Sequence, residues 1–300
     1  MNIRDFRYLI AVADTLHFGK AAEQCFVSQP TLSMQIRKLE ETLGLQLFER
    51  ARKKVRLTDA GQEVVRRARE IISEVDDMVT WADSHQDPLI GQLRVGVIPT
   101  LGPYLLPHVM EPLNKAFPDL EFLLREDLTD NVMKELDQGN IDVAVLALPI
   151  DYDGYATQEI FKEAFVLSLP PDHELANRKG VSMDDLNDRE LLLLDEGHCL
   201  RDHALDVCTT TQVRENNFRA TSLETLRHMV AVGTGITLLP ELAVAPGTRQ
   251  SNVVNVPFRS PVPYRIIGAI WRHGSARVPA IQGLCEVIGK TVRRLITLKR

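Results

Sequence analysis

The chain has 300 residues, of which 44% are hydrophobic and 25% charged, a composition typical of a globular protein with roughly two to three domains. No apolar run approaches the roughly 18 to 20 residues that a transmembrane helix needs, and charges interrupt the one apolar stretch near Met1. We therefore expect a cytoplasmic protein rather than a membrane or secreted one, and in the cytoplasm stable structural disulfides are unusual.

The net charge of −6 is unevenly distributed along the chain. Residues 1–60 contain ten basic and seven acidic side chains, a balance of +3, so the remaining residues carry −9. Such a charge split predicts a nucleic-acid-binding module joined to an acidic module.

Hydrophobic spacing predicts three helices in the first 44 residues. The first covers about 3–13, the second about 19–25, and the third begins after Ser28, a good N-cap, with Pro30 in its first turn. A buried stripe runs along the third helix, which Gly44 ends: Leu32, Ile36, Leu39 and Leu43.

The opposite face of the third helix is free to enter the major groove of DNA. Its candidate contacts to bases and phosphates are Gln29, Thr31, Ser33, Met34, Arg37 and Lys38. Segment 49–61 then alternates like a two-stranded ribbon, with basic residues suited to phosphate contact: Arg50, Arg52, Lys53, Lys54 and Arg56. A solvated basic loop on an ordinary helical bundle is the alternative for this basic run.

The segment 18–61, FGKAAEQCFVSQPTLSMQIRKLEETLGLQLFERARKKVRLTDAG, resembles the DNA-binding module of the LysR family of bacterial transcriptional regulators. In that family the helix that follows the SQP triplet is the recognition helix, which implies DNA contacts by six residues of the third helix: Gln29, Pro30, Thr31, Ser33, Met34 and Arg37. The resemblance implies that residues 1–60 form a winged helix-turn-helix that binds double-stranded promoter DNA.

Residues 61–87 form a predicted connector, since they lack proline and any glycine after Gly61 and repeat apolar residues at helical spacing. We expect one helix of about seven turns. Its apolar stripe has to be buried, either against the same helix of a second chain or against its own domain. The LysR resemblance favours the first alternative, a dimerising linker helix.

From residue 88 onward, short apolar strands alternate with helices, which predicts an α/β domain with a parallel sheet and helices on both faces. Predicted strands lie at 93–99, 120–126 and 141–148, and predicted helices at 105–117 and 131–138. A second unit begins near Phe165, and a last helix, 278–296, returns to the first unit. Ligands in such sheets lie beyond the carboxyl ends of strands, so Pro99, Thr100 and Thr129 are candidates.

The LysR resemblance extends over this part of the chain as well. It implies a two-lobed α/β effector domain similar to periplasmic binding proteins. Subdomain I would comprise 88–163 plus 268–300, and subdomain II would comprise 164–267, which includes Cys199 and Cys208.

The four cysteines show no metal-ligand spacing, so we expect neither a metal site nor a cofactor. Cys25 and Cys285 lie on apolar helix faces and are expected to be inert core residues.

Cys199 precedes a predicted helix, 200–208, whose unpaired amides favour a reactive thiolate. Nine helical residues would hold the α-carbons of Cys199 and Cys208 about 13.5 Å apart, whereas a disulfide needs about 7 Å or less, so bridging them would unwind this helix. From spacing alone, two unrelated buried cysteines remain the alternative.

The segments 191–208 and 218–240, with GHCLRD and a second cysteine nine residues after Cys199, resemble the peroxide-sensing members of the LysR family. The resemblance implies that Cys199 reacts with hydrogen peroxide through a sulfenic acid and that Cys208 then closes a reversible disulfide. It also implies supporting roles for Thr100, Thr129, His198 and Asp202 in positioning the peroxide, and for Arg272 in stabilising the thiolate.

The function implied is a DNA-binding regulator that mainly activates antioxidant genes and is not an enzyme. Its implied partners are a second copy of the chain in a homodimer or homotetramer, RNA polymerase, and a thiol reductant such as glutaredoxin. Two alternatives stay open: a LysR-type regulator that binds a small anionic metabolite near Thr100, and a thiol peroxidase.

Overall fold

The computed structural model describes residues 1–51, 54–83, 88–150, 154–201, 204, 214–244 and 252–297. The chain divides into two compact units, Met1–Gln86 with Asp137–Asn140, and Asp87–Leu136 with Ile141–Arg300. The predicted linker residues thus belong to the same compact unit as the predicted DNA-binding module. In the described part of the chain, no helix combines the length and apolarity required to cross a membrane.

The first unit contains three helices, a hairpin and a long helix. They are α1 (Ile3–Thr15), α2 (Phe18–Gln24), α3 (Gln29–Leu43), β1 (Phe48–Ala51), β2 (Lys54–Leu57) and α4 (Asp59–Asp83). The predicted boundaries of α3 are confirmed, because the Ser28 hydroxyl accepts the amide of Thr31 at 3.3 Å and Gly44 adopts a φ of 67° at the end. The ribbon is shorter than predicted, and α4 begins two residues before position 61.

The core of the first unit includes part of α4. Val65 and Ala68 are buried together with Leu9, Leu32 and Ile36 from the preceding helices. Two ion pairs tie α4 to α1, Arg69 with Asp14 and Arg7 with Asp76. The first half of the predicted linker helix is therefore docked on its own domain.

The second unit is an α/β domain. Its strands are β3 (Gly91–Val97), β4 (Leu120–Glu126), β5 (Val143–Leu148), β6 (Tyr155–Leu169), β7 (Glu190–Leu194), β8 (Arg214–Ala220), β9 (Thr237–Pro240), β10 (Val254–Pro257) and β11 (Tyr264–Arg272). Its helices are α5 (Gly102–Ala116), α6 (Thr129–Asp137), α7 (Leu223–Ala231) and α8 (Val278–Thr297), with short 3-10 helices at Met183–Leu186 and Glu241–Val244.

The main sheet is parallel only in part, which corrects the prediction of a parallel sheet. Its strand order is β10-β6-β11-β5-β3-β4, with β9 also paired to β6. Strand β3 runs parallel to β4 and β5, but β11 is antiparallel to both β5 and β6. Hydrophobic periodicity shows that a segment is a buried strand and does not show its direction. The long strands β6 and β11 connect the two lobes of the domain, and β7 and β8 form a parallel pair.

Strand β7 is buried on both faces. Leu192 and Leu194 belong to the large core cluster around β3 and β5, whereas Leu191 and Leu193 belong to a second cluster with Leu167. Because successive side chains point to opposite faces, this continuous apolar strand fixes the position of the loop that follows it.

Candidate sensor pocket and DNA-binding surface

Three segments that follow strands meet around one narrow pocket in the second unit. Its lining residues follow β3, β4 and β7, respectively: Ile98, Pro99 and Thr100; Leu128 and Thr129; Gly197, His198 and Cys199. Strands β3 and β4 are adjacent and parallel, so their carboxyl ends lie at one sheet edge, where α/β proteins bind ligands. The structure therefore brings together five of the predicted site residues: Pro99, Thr100, Thr129, His198 and Cys199.

Cys199 is half-buried and begins a short helical segment directly after His198. Gly197 turns the chain before it with a φ of +89°, a conformation that strains any residue with a side chain. An added Cβ at Gly197 would also lie 3.3 Å from the Leu128 side chain. A glycine at this position lets the chain present a cysteine to the pocket.

His198 is 7% exposed, and its Nδ1 atom has no hydrogen-bond partner among the described residues. Burial lowers the pKa of His198, while the Asp195 charge and a hydrogen bond to the Thr221 backbone oppose this shift. Because the pKa falls below its usual value near 6.5, His198 is neutral at pH 7. It therefore supplies no positive charge to a neighbouring thiolate, although a neutral ring offers one nitrogen as an acceptor.

The two threonines of the pocket differ in their hydrogen bonding. Thr129 begins α6, and its buried hydroxyl oxygen has no partner within the described part of the chain. Thr100 is 3% exposed and accepts a hydrogen bond from Arg265 Nη1 at 2.9 Å, while Arg265 Nη2 donates to the Thr100 carbonyl at 3.0 Å. Of these two hydroxyls, that of Thr100 is anchored and that of Thr129 has no partner among the residues that the structure describes.

Arg265 belongs to the structure of this site and was not predicted from the sequence. Its guanidinium forms a fully buried ion pair with Glu163, with Nη2 and Oε2 2.7 Å apart. The two residues are directly opposite in the β11–β6 register. The available signal was an arginine in the apolar run YRIIGAI and a neighbouring lysine and glutamate in FKEAFVL, charged residues within otherwise apolar segments.

The position of Arg272 does not support its predicted role beside the thiolate. Its Nη1 atom donates to the carbonyls of Leu136 and Ile141 at 2.5 and 3.2 Å, and Arg272 does not line the pocket. The sequence pair WR at the end of β11 gave no information on which way the side chain points. Asp202 and Cys208 lie outside the described residues.

The remaining cysteines differ in burial. Cys285 is 2% exposed within α8, and burial raises the pKa of its thiol to about 12, as expected of an inert core residue. Cys25 is only half-buried and lines an open cleft of the first unit, although burial raises its pKa as well. No group of three or more potential metal ligands occurs among the residues that the structure describes.

Helix α3 presents the predicted recognition surface. Five of its six candidate residues are exposed and Ser33 is half-buried: Gln29, Pro30, Thr31, Met34 and Arg37. Met34 is 61% exposed, and Arg37 pairs loosely with Glu41 at 3.4 Å on the same helix. An exposed helix face with these side chains, above an apolar stripe, is the form that a major groove accepts.

The hairpin β1–β2 forms the wing next to this helix. Glu40 of α3 holds its base, since the carboxylate accepts the amides of Leu47 and Phe48 at 2.8 and 3.2 Å. Arg56 is exposed and lies opposite Glu49 in the hairpin register. Arg50 and Lys54 lie within the two strands. Arg52 and Lys53 are outside the described residues.

A helix-turn-helix with a wing, joined to a two-lobed effector domain, defines the class of the protein. The lysR-family bacterial regulatory helix-turn-helix protein matches residues 3–62, and the LysR substrate binding domain matches residues 86–293. The chain belongs to the LysR family of bacterial transcriptional regulators and is a DNA-binding transcription regulator.

Individual relatives are similar over nearly the whole length. The chain is 46% identical to the DNA-binding transcriptional dual regulator OxyR of Escherichia coli K12, over 96% of this chain and 95% of the relative. Its structure resembles full-length OxyR of Pseudomonas aeruginosa with a cysteine-to-aspartate substitution, with a TM-score of 0.77, 38% identity, and coverage of 96% and 94%. It also resembles a hydrogen peroxide-bound cysteine-to-serine mutant of Corynebacterium glutamicum OxyR, with a TM-score of 0.67, 32% identity, and coverage of 99% and 96%.

Proposed function

We propose that this regulator senses hydrogen peroxide through Cys199 and controls antioxidant genes, mainly as an activator. One observation carries the proposal: Thr100, Thr129 and His198 converge with Cys199 on a single narrow pocket. The similarity to OxyR proteins, one of them with hydrogen peroxide bound, supports peroxide as the ligand.

The proposed chemistry has two steps. The Cys199 thiolate attacks one peroxide oxygen, so that an S–O bond forms, the O–O bond breaks and hydroxide leaves, which oxidises sulfur and reduces oxygen. Attack by the Cys208 thiol on the resulting sulfenic acid then forms the S–S bond and releases water. A cellular thiol reductant such as glutaredoxin would reverse the disulfide by exchange. Since one oxidation per cycle is enough for sensing, the protein need not turn over as an enzyme.

The pocket suits a very small ligand better than a metabolite. The volume that it leaves open to a water-sized molecule is about 0 Å³, whereas sites for larger organic ligands commonly span roughly 300–1,000 Å³. Moreover, the Arg265 guanidinium is occupied by Glu163 and Thr100 and is therefore not available to bind an anionic effector. These features favour peroxide over the anionic metabolite.

The proposal is tested by adding a small excess of hydrogen peroxide to the reduced protein and mapping its thiols by mass spectrometry. We expect a Cys199–Cys208 disulfide, and we expect Cys199→Ser to abolish the transcriptional response. Cys285→Ser is the matched control. If Cys199 and Cys208 both remain thiols, the proposal is wrong, and full regulation by Cys199→Ser would favour a metabolite ligand. Rapid peroxide turnover with a reductant would indicate a peroxidase.

We place the output of this switch at the winged helix-turn-helix. The exposed residues of α3 would contact bases, while the basic residues of the wing would contact phosphates, as their side-chain chemistry favours. Regulation from bound promoter DNA implies a cytoplasmic location and contact with RNA polymerase.

We further propose that α4 pairs with a second chain, with tetramers assembled from dimers. Ile71 and Met78 are 40% and 67% exposed, and seven residues, about two turns, separate them on the helix. The same unit has an open cleft of about 680 Å³, lined in part by Tyr8 and Ile72, beside Phe26, which is 95% exposed. We propose that these exposed apolar side chains contribute to the contact with the second chain.

Light scattering tests this assembly. We expect Met78→Glu to shift the protein toward monomers, whereas Leu45→Glu, which changes another exposed apolar side chain of the same unit, leaves the mass unchanged. Equal masses for both variants would refute pairing through α4.

A further inference from the structure

Glu163 is a fully buried carboxylate held from two directions. It lies on β6, one of the long strands that connect the lobes, directly opposite Arg265 on β11. Its Oε2 atom accepts Arg265 Nε at 2.8 Å, and its Oε1 atom accepts the amide of Leu242 at 3.0 Å. Both carboxylate oxygens thus accept hydrogen bonds, one from the Arg265 side chain and the other from the Leu242 amide.

The energetics of this pair do not explain its presence. Removing two charges from water is costly, and well-packed apolar side chains of similar volume stabilise a core as well or better. The surrounding residues are apolar, including the fully buried Phe165 and Ile267 on the same two strands. A buried ion pair in this place therefore indicates a requirement other than stability.

The other contacts of Arg265 indicate this requirement. Its Nη1 and Nη2 atoms donate to the hydroxyl and the carbonyl of Thr100, a residue of the sensor pocket. A hydroxyl has a single proton and two lone pairs. Since an arginine can only donate, the Thr100 hydroxyl must accept from it, and its own proton is directed elsewhere.

We propose that Glu163 is a positioning residue for the sensor pocket, which acts through Arg265 to make the Thr100 hydroxyl a hydrogen-bond donor toward the bound peroxide. This inference rests on the proposed function. During attack by Cys199, the departing peroxide oxygen gains negative charge as the O–O bond breaks, and a fixed donor stabilises such a charge. Glu163 contributes by orienting the guanidinium and by compensating its charge.

The test measures the rate of Cys199 sulfenic acid formation with hydrogen peroxide, trapped with dimedone, in the full-length protein. We expect Glu163→Gln to slow this rate by about tenfold, less than the roughly 100-fold loss of an entire oxyanion donor that we expect for Thr100→Val. Glu159→Gln, the same change at an exposed position of β6, should leave the rate unchanged.

A double-mutant cycle separates positioning from a general structural effect. If Glu163 acts through Thr100, Glu163→Gln slows oxidation little further in a Thr100→Val background. Alkylation of Cys199 by iodoacetamide, which needs no donor from Thr100, should proceed at the wild-type rate in Glu163→Gln. Should Glu163→Gln be unstable, the apolar pair Glu163→Leu with Arg265→Met keeps the core packed and should show the same loss.

The outcomes are distinct. An unchanged peroxide rate in Glu163→Gln, or multiplicative effects of Glu163→Gln and Thr100→Val, would overturn the positioning role. Equal slowing of alkylation and peroxide oxidation would overturn it as well, because it would show a general disturbance of Cys199. Absence of peroxide oxidation in the wild-type protein would instead refute the proposed function itself.

Discussion

The attachment of the wing to the recognition helix depends on one carboxylate. Glu40 accepts the amides of Leu47 and Phe48, two residues that are 0% and 1% exposed. In Glu40→Ala both amides lose this partner in a place that water reaches poorly. Hydrogen bonds to charged groups contribute about 1.5–3 kcal/mol, and an unsatisfied buried amide costs about 1–3 kcal/mol. We expect the first unit to lose about 2–3 kcal/mol of its free energy of unfolding.

The neighbouring residue provides the control. Glu41→Ala makes the same change in charge, so any long-range electrostatic effect on DNA is matched. Within the described ranges, Glu41 pairs only with Arg37, at 3.4 Å and with side chains 67% and 77% exposed. Such pairs contribute at most about 0.5 kcal/mol. Its removal releases Arg37 for DNA, so we expect unchanged or tighter binding.

Hydrogen exchange and DNA titration provide the two measurements. In Glu40→Ala, the amides of residues 47 and 48 should exchange faster, and affinity for duplex DNA selected by the wild-type protein from a random pool should fall at fixed salt. The salt dependence should match that of Glu41→Ala, since the phosphate contacts are the same in number. Equal protection and equal affinity in the two variants would refute the coupling between wing and helix.

Three further predictions concern individual side chains. Thr129→Val should leave the free energy of unfolding in urea unchanged or slightly raise it, because the buried Thr129 hydroxyl has no described partner. The same variant should slow peroxide oxidation of Cys199. A clear loss of stability would contradict this prediction. Cys285 should resist iodoacetamide at pH 8 until the protein is unfolded, since burial raises its pKa to about 12, and rapid native labelling would contradict this. A hydrogen bond from the Ser182 backbone is the main cause that lowers the pKa of Asp185. The Asp185 carboxylate therefore stabilises the fold at neutral pH, and this contribution disappears as pH falls below about 4. Asp185→Asn should therefore show a shallower loss of stability in acid than the wild-type protein, and an identical acid titration would be inconsistent with this account.

The local signals of the first unit were sufficient to predict its fold. Ser28 and Gly44 mark the ends of α3 because capping is a property of a few adjacent residues. The sequence did not determine where the apolar stripe of α4 is buried, since its own domain or a second chain can cover it equally well. The structure shows that Val65 and Ala68 use the first option, and it leaves Ile71 and Met78 exposed.

In the second unit, the sequence predicted three of the nine described strands, β3, β4 and β5, and the predicted parallel direction holds for these three but not for β6 and β11. Only the part of β6 near Phe165 was predicted, because polar residues come in runs in its first part (Thr157–Glu159, then Lys162 and Glu163) and give no strand periodicity there. That omission also concealed the Glu163–Arg265 pair, which depends on the pairing of β6 with β11 across about 100 positions of sequence. No local pattern encodes such a contact.

In the sensor pocket, too, some residues could be predicted from the sequence and others could not. Thr100 and Thr129 could be predicted, because both follow strands whose carboxyl ends meet at one sheet edge. The role of Arg272 was implied only by the family resemblance, and its side chain instead donates to the carbonyls of Leu136 and Ile141, which the sequence does not place nearby.

The central claim is that oxidation of Cys199 changes how the protein occupies DNA. A footprint on the selected duplex, made at fixed salt with the reduced protein and again after peroxide, measures this directly. We predict that the protected length or its boundaries shift after oxidation and return when a thiol reductant is added, and that Cys199→Ser gives the reduced pattern throughout. Identical footprints, with mass spectrometry showing that Cys199 is fully oxidised, would contradict the account.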